Sequence, residues 1–231
     1  MVAGMPEPVS RATALPRLKR STLGDDVYQT LRSAVLEHTL SPGDRMNIDG
    51  LARELEVSPT PVREALARLE SEGLVRKRPL AGYTVSPLLT RAEFADMFDM
   101  RLLLECAAAR WAAERATPQQ QAELVAEARR TVPAGEDQAW HSAFTTLDAH
   151  LHNLVAEAAA SPLLSESIGR LHAHLHLHRR YFPYAQTAVT TQEHQRIAAA
   201  IAASDPDAAE AAMRVHLTEA RERHLATFEK E

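Results

Sequence analysis

The segment between residues 48 and 78 constrains the fold most strongly. Leu51 and Leu55 lie four residues apart on one helical face, so residues 49–56 are predicted to form a short packing helix. Ser-Pro-Thr-Pro at 58–61 then predicts the start of a second helix. A serine hydroxyl caps the first turn, and proline lacks a donor that the first turn does not use. Two helices joined by a tight turn therefore follow each other directly.

The second helix has an apolar face and a polar N-terminal end. Val62, Leu66 and Leu69 recur at helical spacing, and Gly73 is placed for a left-handed C-terminal stop. Polar side chains at such an N-terminal end suit the major groove of DNA. These side chains belong to Ser58, Thr60, Arg63 and Arg68.

Two short predicted strands follow this helix. Residues 74–78 and 83–85 flank a Pro-Leu-Ala-Gly turn. Arg76, Lys77 and Arg78 are placed to meet phosphates. Helix, turn, helix and basic hairpin in this order predict a winged helix-turn-helix. An ordinary helical hairpin with solvated surface charges is the alternative that the residues alone leave open.

Residues 23–85 resemble the DNA-binding domain of GntR-type transcriptional regulators. The matching segments are SPGDRM, LARELEVSPTPVREAL and LESEGLV. The resemblance implies that Ser58, Thr60 and Arg63 contact the operator and that Gly82 lies at the wing tip near the minor groove. Pro59 stands where many relatives carry an arginine that reads a guanine, so base readout is expected to be thinner or shifted to other side chains.

The charge is unevenly distributed along the 231 residues, whose net charge is −5. Residues 1–90 hold 12 basic and 11 acidic residues, a balance of +1, and residues 91–231 hold 14 and 20, a balance of −6. A nearly neutral DNA-binding domain must bind through a local basic face. Doubling that face in a homodimer would double the phosphate contacts.

The remaining composition bounds the location and the domains. The single cysteine, Cys106, excludes a disulfide within the chain and fits a reducing cytoplasm. No run of about 18 apolar residues occurs, so no membrane-spanning helix is predicted. The first residues, rich in Pro, Ala and Arg, lack the apolar core of a secretory signal. The predicted parts are a disordered arm at 1–20, a winged helix-turn-helix domain at 21–86, and an all-helical domain at 87–231.

The chain after residue 85 is predicted to be helical to its end. Proline or acid-proline pairs mark the breaks, and Thr90 with Glu93 forms a capping box. The predicted helices cover residues 90–115, 117–131, 137–160, 162–182, 188–203 and 206–229. The fold class is therefore mainly α: an N-terminal winged helix-turn-helix with three helices and a small β-hairpin, followed by an all-α bundle of six to seven helices.

Histidines are concentrated in this bundle, since 10 of the chain's 11 lie after residue 140. Asp148 and His152 are four residues apart, a spacing that suits two groups holding one metal ion from one helix face. His194 and His216 each lie 11 residues from the predicted break at Asp205. Folding two antiparallel helices at that break brings both imidazoles to the same height, about 15 Å from the turn. The two pairs are expected to face each other across the bundle.

This second half resembles the helical ligand-binding domain called FCD, found in the fatty-acid-regulator branch of the GntR family. The matching marks are Asp148 with His152, Glu193 with His194, and His216 within AAMRVHL. The resemblance implies that Asp148, His152, His194 and His216 hold a divalent metal ion. Zinc is favoured, and nickel or manganese would also accept imidazole and carboxylate ligands. For any one of these histidines alone, a hydrogen-bonded core or surface role is the alternative.

A second histidine cluster comprises His172, His174, His176 and His178. On one helix only the residues four apart in this series share a face. Extra ligands or proton-linked groups lining a pocket are one interpretation. A solvated or interfacial helix is the interpretation that the pattern favours, with one face allowed to look into the cavity.

Arg101 lies on an apolar helix face between Met97 and Leu104. A buried arginine needs an anion. Glu105, one turn on, is one candidate partner, and the carboxylate of a small organic acid effector is the other. Related FCD proteins commonly use an arginine on this helix for an acidic ligand.

The sequence therefore predicts a DNA-binding transcriptional regulator rather than an enzyme. In the leading hypothesis a homodimer binds a palindromic operator in double-stranded DNA, and a metal ion with a small carboxylic acid effector modulates that binding. The resemblance favours a repressor that the effector releases, since this is the commoner outcome in the family, while the sequence itself does not show the sign. One alternative is a metal sensor whose effector is the ion itself. The other is a metal-dependent hydrolase fused to a DNA-binding domain, although no general base stands at a motif spacing such as HExxH.

Overall fold

The computed structural model describes residues 22–78, 82–132, 138–179 and 187–228. The predicted arm at 1–20 and most of the predicted hairpin turn, at 79–81, lie outside the described residues. Within these ranges no helix combines the length and the hydropathy needed to cross a bilayer.

The N-terminal part forms three helices and a small sheet. The helices are α1 (Thr22–Leu36), α2 (Ile48–Glu54) and α3 (Pro59–Ser71), and the strands are β1 (Arg45–Met46), β2 (Val75–Arg78) and β3 (Gly82–Val85). Both strand pairs are antiparallel, in the order β1-β3-β2. This confirms the predicted winged helix-turn-helix and adds the two-residue strand β1, which the sequence pattern did not reveal.

The start of α3 differs from its prediction in one detail. Ser58 occupies the N-cap position, but its hydroxyl makes no capping hydrogen bond. The prolines in the first turn therefore mark the start of the helix without help from the serine side chain. Val62, Leu66 and Leu69 are fully buried, and Gly73 has the predicted positive φ of 74°.

The helical part contains seven described helices, within the predicted range of six to seven. They are α4 (Arg91–Arg115), α5 (Pro118–Glu127), α6 (Gln138–Ala158), α7 (Pro162–Arg170), α8 (Ala173–Arg179), α9 (Thr187–Ala202) and α10 (Pro206–Leu225). Thr90 and Glu93 form the predicted capping box at the start of α4. Asp205 accepts a hydrogen bond from the backbone of Ala208 and caps α10.

The single helix predicted over residues 162–182 is wrong. It is broken between α7 and α8, where His172 has a φ of 46°. A non-glycine residue in this left-handed region interrupts helical geometry. Gly169 lies in the last turn of α7, but positions 171 and 172 carry neither glycine nor proline. The short helix α8 is consequently free to take its own direction.

Small side chains let the helices of the bundle approach closely. Ala108, Ala109, Ala112 and Ala113 of α4 are buried in a core shared with α6, α9 and α10. Alanine side chains permit short distances between helix axes, so polar side chains one or two turns away on the same helices are brought together in the interior.

Candidate metal centre

Four predicted ligand residues from three helices converge inside the bundle. Asp148 and His152 lie on α6, His194 on α9 and His216 on α10, and one ligand atom from each lies within 4.8 Å of all the others. The three histidines are buried. The antiparallel turn at Asp205 places His194 and His216 side by side, with ring centroids 4.8 Å apart.

The two imidazoles of His152 and His216 face each other through their Nε2 atoms, which are 3.2 Å apart. His152 Nδ1 pairs with the carboxylate of Glu105, and His216 Nδ1 pairs with that of Glu193 at 2.8 Å. In a neutral imidazole that donates through Nδ1, Nε2 carries a lone pair. Two lone pairs therefore point at each other, which is unfavourable unless a cation lies between them.

The spacing of these nitrogens fits a shared ion. Zinc binds histidine nitrogen at about 2.0–2.1 Å in a tetrahedral arrangement, which puts two such nitrogens about 3.3 Å apart. The separation of 3.2 Å between His152 Nε2 and His216 Nε2 agrees with this value. The donor set of three imidazoles and one carboxylate fits a divalent transition metal.

Each of the two glutamates is in turn held by an arginine, which is buried in the case of Arg101 and partly buried in the case of Arg223. Glu105 pairs with Arg101, and Glu193 makes a two-pronged contact with Arg223, with both distances at 2.8 Å. Burial alone would raise the pKa of Glu105, but Arg101 and His152 lower that pKa below its usual range. Burial also opposes ionisation of Glu193, yet His216 and Arg223 lower its pKa to about 2.

Both carboxylates are therefore ionised at neutral pH and fix the orientation of their histidines. Carboxylates behind metal-bound histidines commonly play this part in proteins. The sequence analysis did not assign it to Glu105, Glu193 or Arg223. The signals were present, since Glu105 follows Arg101 by four residues and Glu193 precedes His194.

Asp148 contacts two histidines, one of which lay outside the predicted set. Its Oδ1 is 3.2 Å from His194 Nε2, and its Oδ2 is 3.2 Å from His174 Nε2. Burial would raise the pKa of Asp148, but these two histidines lower that pKa well below its usual value. Both Nε2 atoms are shielded from solvent and form no well-directed hydrogen bond with a described residue. Apart from Asp148, neither nitrogen has a polar partner among the described residues.

The other members of the second histidine cluster fit the interfacial interpretation. His172 Nε2 lies 3.1 Å from the backbone oxygen of Ser71. His178 is buried, and its backbone oxygen is 3.0 Å from His141 Nε2. Burial lowers the pKa of His176 to about 4. Of the four, only His174 turns its ring toward the candidate ligands. The sequence analysis had allowed for one face of this helix to look into the cavity.

Arg101 is almost completely buried and pairs with Glu105, the first of its two predicted partners. Its Nε and Nη2 atoms face Glu105, and no described residue accepts a hydrogen bond from Nη1. Arg101 also lines a narrow pocket beside the candidate ligands. The other lining residues are His141, Phe144, Thr145, Asp148, Leu177, Thr190, His216, Ala220, Arg223 and His224.

This pocket is small. Its cavity volume of about 20 Å³ is close to the space that a single water molecule needs. A ligand with several carbon atoms would therefore have to move the lining helices apart. Contact with an effector remains a prediction for Arg101.

The predicted DNA-contacting residues mostly lie on the surface of the N-terminal domain. Ser58, Thr60 and Arg63 are exposed at the start of α3, and Arg76, Lys77 and Arg78 are exposed on β2. Gly82 pairs with Arg78 and has a φ of 80°. A Cβ atom at Gly82 would lie 3.1 Å from the backbone oxygen of Met46, so the position favours glycine for two reasons.

Arg68 and Arg45 differ from the expected arrangement. The Arg68 guanidinium lies over the Tyr28 ring and pairs with Asp25 at 2.8 Å, so it faces α1. Its predicted role at DNA requires this pair to open. Arg45, which the sequence analysis did not assign, is exposed on β1 and lies in register with Thr84, as Arg76 does from the other side. Arg45 therefore extends the basic face of the wing.

A winged helix-turn-helix joined to an all-helical domain with a buried polar centre defines a two-domain DNA-binding regulator. Comparison with known families agrees: residues 23–85 match the gntR family of bacterial regulatory proteins, and residues 96–219 match the FCD domain. The chain belongs to the GntR family and carries an FCD domain.

Known relatives span nearly the whole chain. The HTH-type transcriptional repressor RspR of Escherichia coli is 29% identical across 87% of this chain and 88% of its own length. The HTH-type transcriptional repressor NanR of Salmonella newport is 30% identical across 91% and 89%. A regulator from an unstable DNA locus of Streptomyces ambofaciens is 32% identical across 83% and 80%. These relatives are transcriptional regulators rather than enzymes, which confirms that part of the prediction.

Solved structures support the fold. The structure of E. coli McbR/YncC has a TM-score of 0.68 at 23% identity and covers 90% of this chain and 99% of its own. That of a putative GntR regulator from Rhodococcus sp. RHA1 has a TM-score of 0.67 at 21% identity, covering 89% and 99%. At such low identity these likenesses concern the arrangement of helices and strands alone.

The buried histidines predict that the metal-free protein loses stability in acid. Burial lowers the pKa of His224 to about 3, and burial is also the main cause that lowers the pKa of His216 to about 3. An unfolded histidine titrates near pH 6.5, so below that pH the unfolded chain binds protons that the folded chain does not. The stabilising contribution is therefore complete above about pH 6.5 and is lost progressively as the pH falls toward 3.

Removing one of these imidazoles should flatten this acid dependence. His224→Phe and His224→Gln pack differently against Phe94 and Phe98 but remove the same titrating group. We expect both to reduce the slope of the unfolding free energy by about 1.4 kcal/mol per pH unit between about pH 6 and pH 4. The slope is measured by urea denaturation at a series of pH values, with a chelator present to keep the protein metal-free. Wild-type slopes in both variants would show that His224 does not exclude the proton.

Proposed function

We propose that this DNA-binding transcriptional regulator is a homodimeric repressor whose helical domain holds one divalent metal ion and a small carboxylic acid that modulates operator binding. The observation that carries the proposal is the pair of facing Nε2 atoms of His152 and His216, which are 3.2 Å apart. The Nδ1 atom of each ring pairs with an ionised glutamate. This arrangement is unfavourable when empty and favourable around a cation.

Asp148, His152, His194 and His216 are the proposed ligands. The glutamate contacts keep His152 and His216 in the tautomer that donates a lone pair to a metal. The Nε2 of His194, which faces the Asp148 carboxylate at 3.2 Å, would bind the same ion. Zinc suits this set best, with nickel and manganese as further possibilities because they share imidazole and carboxylate ligands. A bound ion would supply positive charge and, by expanding its coordination beyond the four protein ligands, accept an oxygen of an organic acid.

Arg101 is the proposed second anchor for that acid. It lines the pocket that also exposes Asp148 and His216, and its Nη1 has no described partner. A carboxylate is the natural ligand for a planar guanidinium. Because the pocket holds about one water molecule, acid entry must displace the helices that line it, including α4, which follows the link to the DNA-binding domain.

The DNA-binding surface proposed here is the exposed start of α3 together with the wing. Ser58, Thr60 and Arg63 would face the bases, and Arg76, Lys77, Arg78 and Gly82 would lie along the backbone and minor groove. Regulators of this family bind operators and typically act as dimers. Two copies of this surface suit a palindromic site. Repression is favoured because RspR and NanR carry that description.

Metal content tests the proposed centre. We expect extensively dialysed protein to retain about one transition-metal ion per chain and the His194→Ala, His216→Ala double variant to lose it, because two of four ligands are gone. Elemental mass spectrometry gives the stoichiometry. His150→Ala, which changes an exposed histidine on α6, is the matched control and should keep the ion.

Two results would oppose this proposal. Wild-type protein that stays metal-free after loading with zinc, nickel or manganese would make the histidine cluster structural. An ion that leaves readily during dialysis would favour the metal-sensor alternative, since a sensor must exchange its ion within the cell's working range.

Substitution on α3 tests the DNA-binding surface. Arg63→Ala should weaken binding by about 1–3 kcal/mol, or roughly 5- to 150-fold, because an arginine that contacts a base is removed. The probe is genomic DNA fragments enriched by the wild-type protein, measured by electrophoretic mobility shift. Arg214→Ala, an exposed arginine on α10, is the control for loss of one positive charge. Equal affinity of Arg63→Ala and wild-type protein would mean that another surface contacts DNA.

A further inference from the structure

The short helix α8 lies between the candidate metal centre and the DNA-binding domain. On one side His174 reaches the centre: its Nε2 is 3.2 Å from Asp148 Oδ2, and its ring centroid is 5.0 Å from that of His152. That Nε2 is shielded from solvent, and the Asp148 carboxylate is its polar contact among the described residues. His174 thus offers a further nitrogen beside the four proposed ligands.

The beginning of α8 is attached to the DNA-binding domain. His172, at the break before α8, reaches the backbone oxygen of Ser71 at the end of α3 with a distance of 3.1 Å. Leu175 packs against the apolar core of the DNA-binding domain.

The end of α8 is attached to the link between the domains. Arg179 is 2% exposed and donates to the backbone oxygens of Ser86 and Pro87, which join β3 to α4. The backbone oxygen of Arg179 lies 2.9 Å from His38 Nε2, just after α1. Among the described residues no carboxylate pairs with this guanidinium: Nη1 and Nη2 donate to carbonyl groups, and Nε has no hydrogen-bond partner.

A helix of this length moves as one piece. Seven residues rise about 10 Å along the axis, and their backbone hydrogen bonds resist bending. A shift of His174 at the metal centre therefore changes the positions of Leu175 and Arg179 at the same time. Both of these residues touch the DNA-binding domain or its link, so the movement has a direct physical path.

We propose that His174 is an additional ligand of the metal centre and that α8 couples metal binding at this centre to the DNA-binding domain. The proposal rests on the metal site of the proposed function. Without an ion, the Nε2 of His174 faces only the Asp148 carboxylate, while Leu175 and Arg179 join α8 to the DNA-binding domain and the link. With an ion, the same nitrogen binds the ion that Asp148 also holds, and the contacts at Ser71, Ser86 and Pro87 adjust.

Hydrogen–deuterium exchange of the full-length protein, with and without zinc, tests this path. In wild-type protein we expect zinc to slow exchange in peptides of α6, α9 and α10 and to change exchange in peptides covering residues 71–87. His174→Gln should still bind zinc through the remaining four ligands and protect the three bundle helices. Its response at residues 71–87 should be lost.

Two further variants separate this path from general damage. His176→Gln changes a partly buried histidine of α8 that lies away from the proposed ligands, and it should respond to zinc as wild-type protein does. Arg179→Lys keeps the positive charge but cannot donate to the carbonyl groups of Ser86 and Pro87 at the same time with the planar geometry of a guanidinium. It should bind zinc with wild-type stoichiometry and show no response at residues 71–87.

The outcomes distinguish the two proposals. If zinc protects the bundle of wild-type protein but leaves residues 71–87 unchanged, or if His174→Gln keeps the response there, the role of α8 is overturned while the metal centre stands. If wild-type protein binds no zinc, the metal centre and the role of α8 are both overturned. Loss of the response in His174→Gln and Arg179→Lys, with zinc still bound, supports the proposal.

Discussion

Two contacts between buried groups, His152 with Glu105 and His216 with Glu193, determine the chemistry of the helical domain. They make each Nδ1 a donor and turn each Nε2 lone pair toward the same point. The contacts depend on Arg101 and Arg223, because a buried carboxylate without a positive partner would take up a proton and cease to hold the imidazole in place. Two Arg–Glu–His series from different helices therefore create one site for a cation.

The fold brings these two series together. In the first series Arg101 and Glu105 lie on α4 and His152 lies on α6. In the second, Arg223 and His216 lie on α10 and Glu193 lies on α9. Alanines in α4 allow these helices to pack closely. The same helices thus form the apolar core and the polar centre. Beyond them, α8 contacts Asp148 on one side and the link at Ser86 on the other, so the centre is not isolated from the DNA-binding surface. The helices that form the apolar core therefore also form the metal centre and contact α8, which reaches the DNA-binding domain.

Local patterns in the sequence were sufficient for the elements and for part of the site. The spacing of Val62, Leu66 and Leu69 gave α3, and the distances from Asp205 brought His194 and His216 to one height. Contacts that join distant parts of the chain were missed, because no local period encodes them. Glu105 with His152 is separated by 47 residues and Arg223 with Glu193 by 30. The break at His172 escaped prediction because a non-glycine residue takes the left-handed conformation there, and β1 is too short to show alternation.

X-ray absorption spectroscopy of the zinc-loaded protein would test the central claim most directly. The account predicts at least three imidazole nitrogens and a carboxylate oxygen around zinc, at about 2.0–2.1 Å, with the outer scattering typical of imidazole rings. A zinc environment made only of oxygen, or one with a single imidazole, would contradict it. In that case the two facing nitrogens would not form a metal centre.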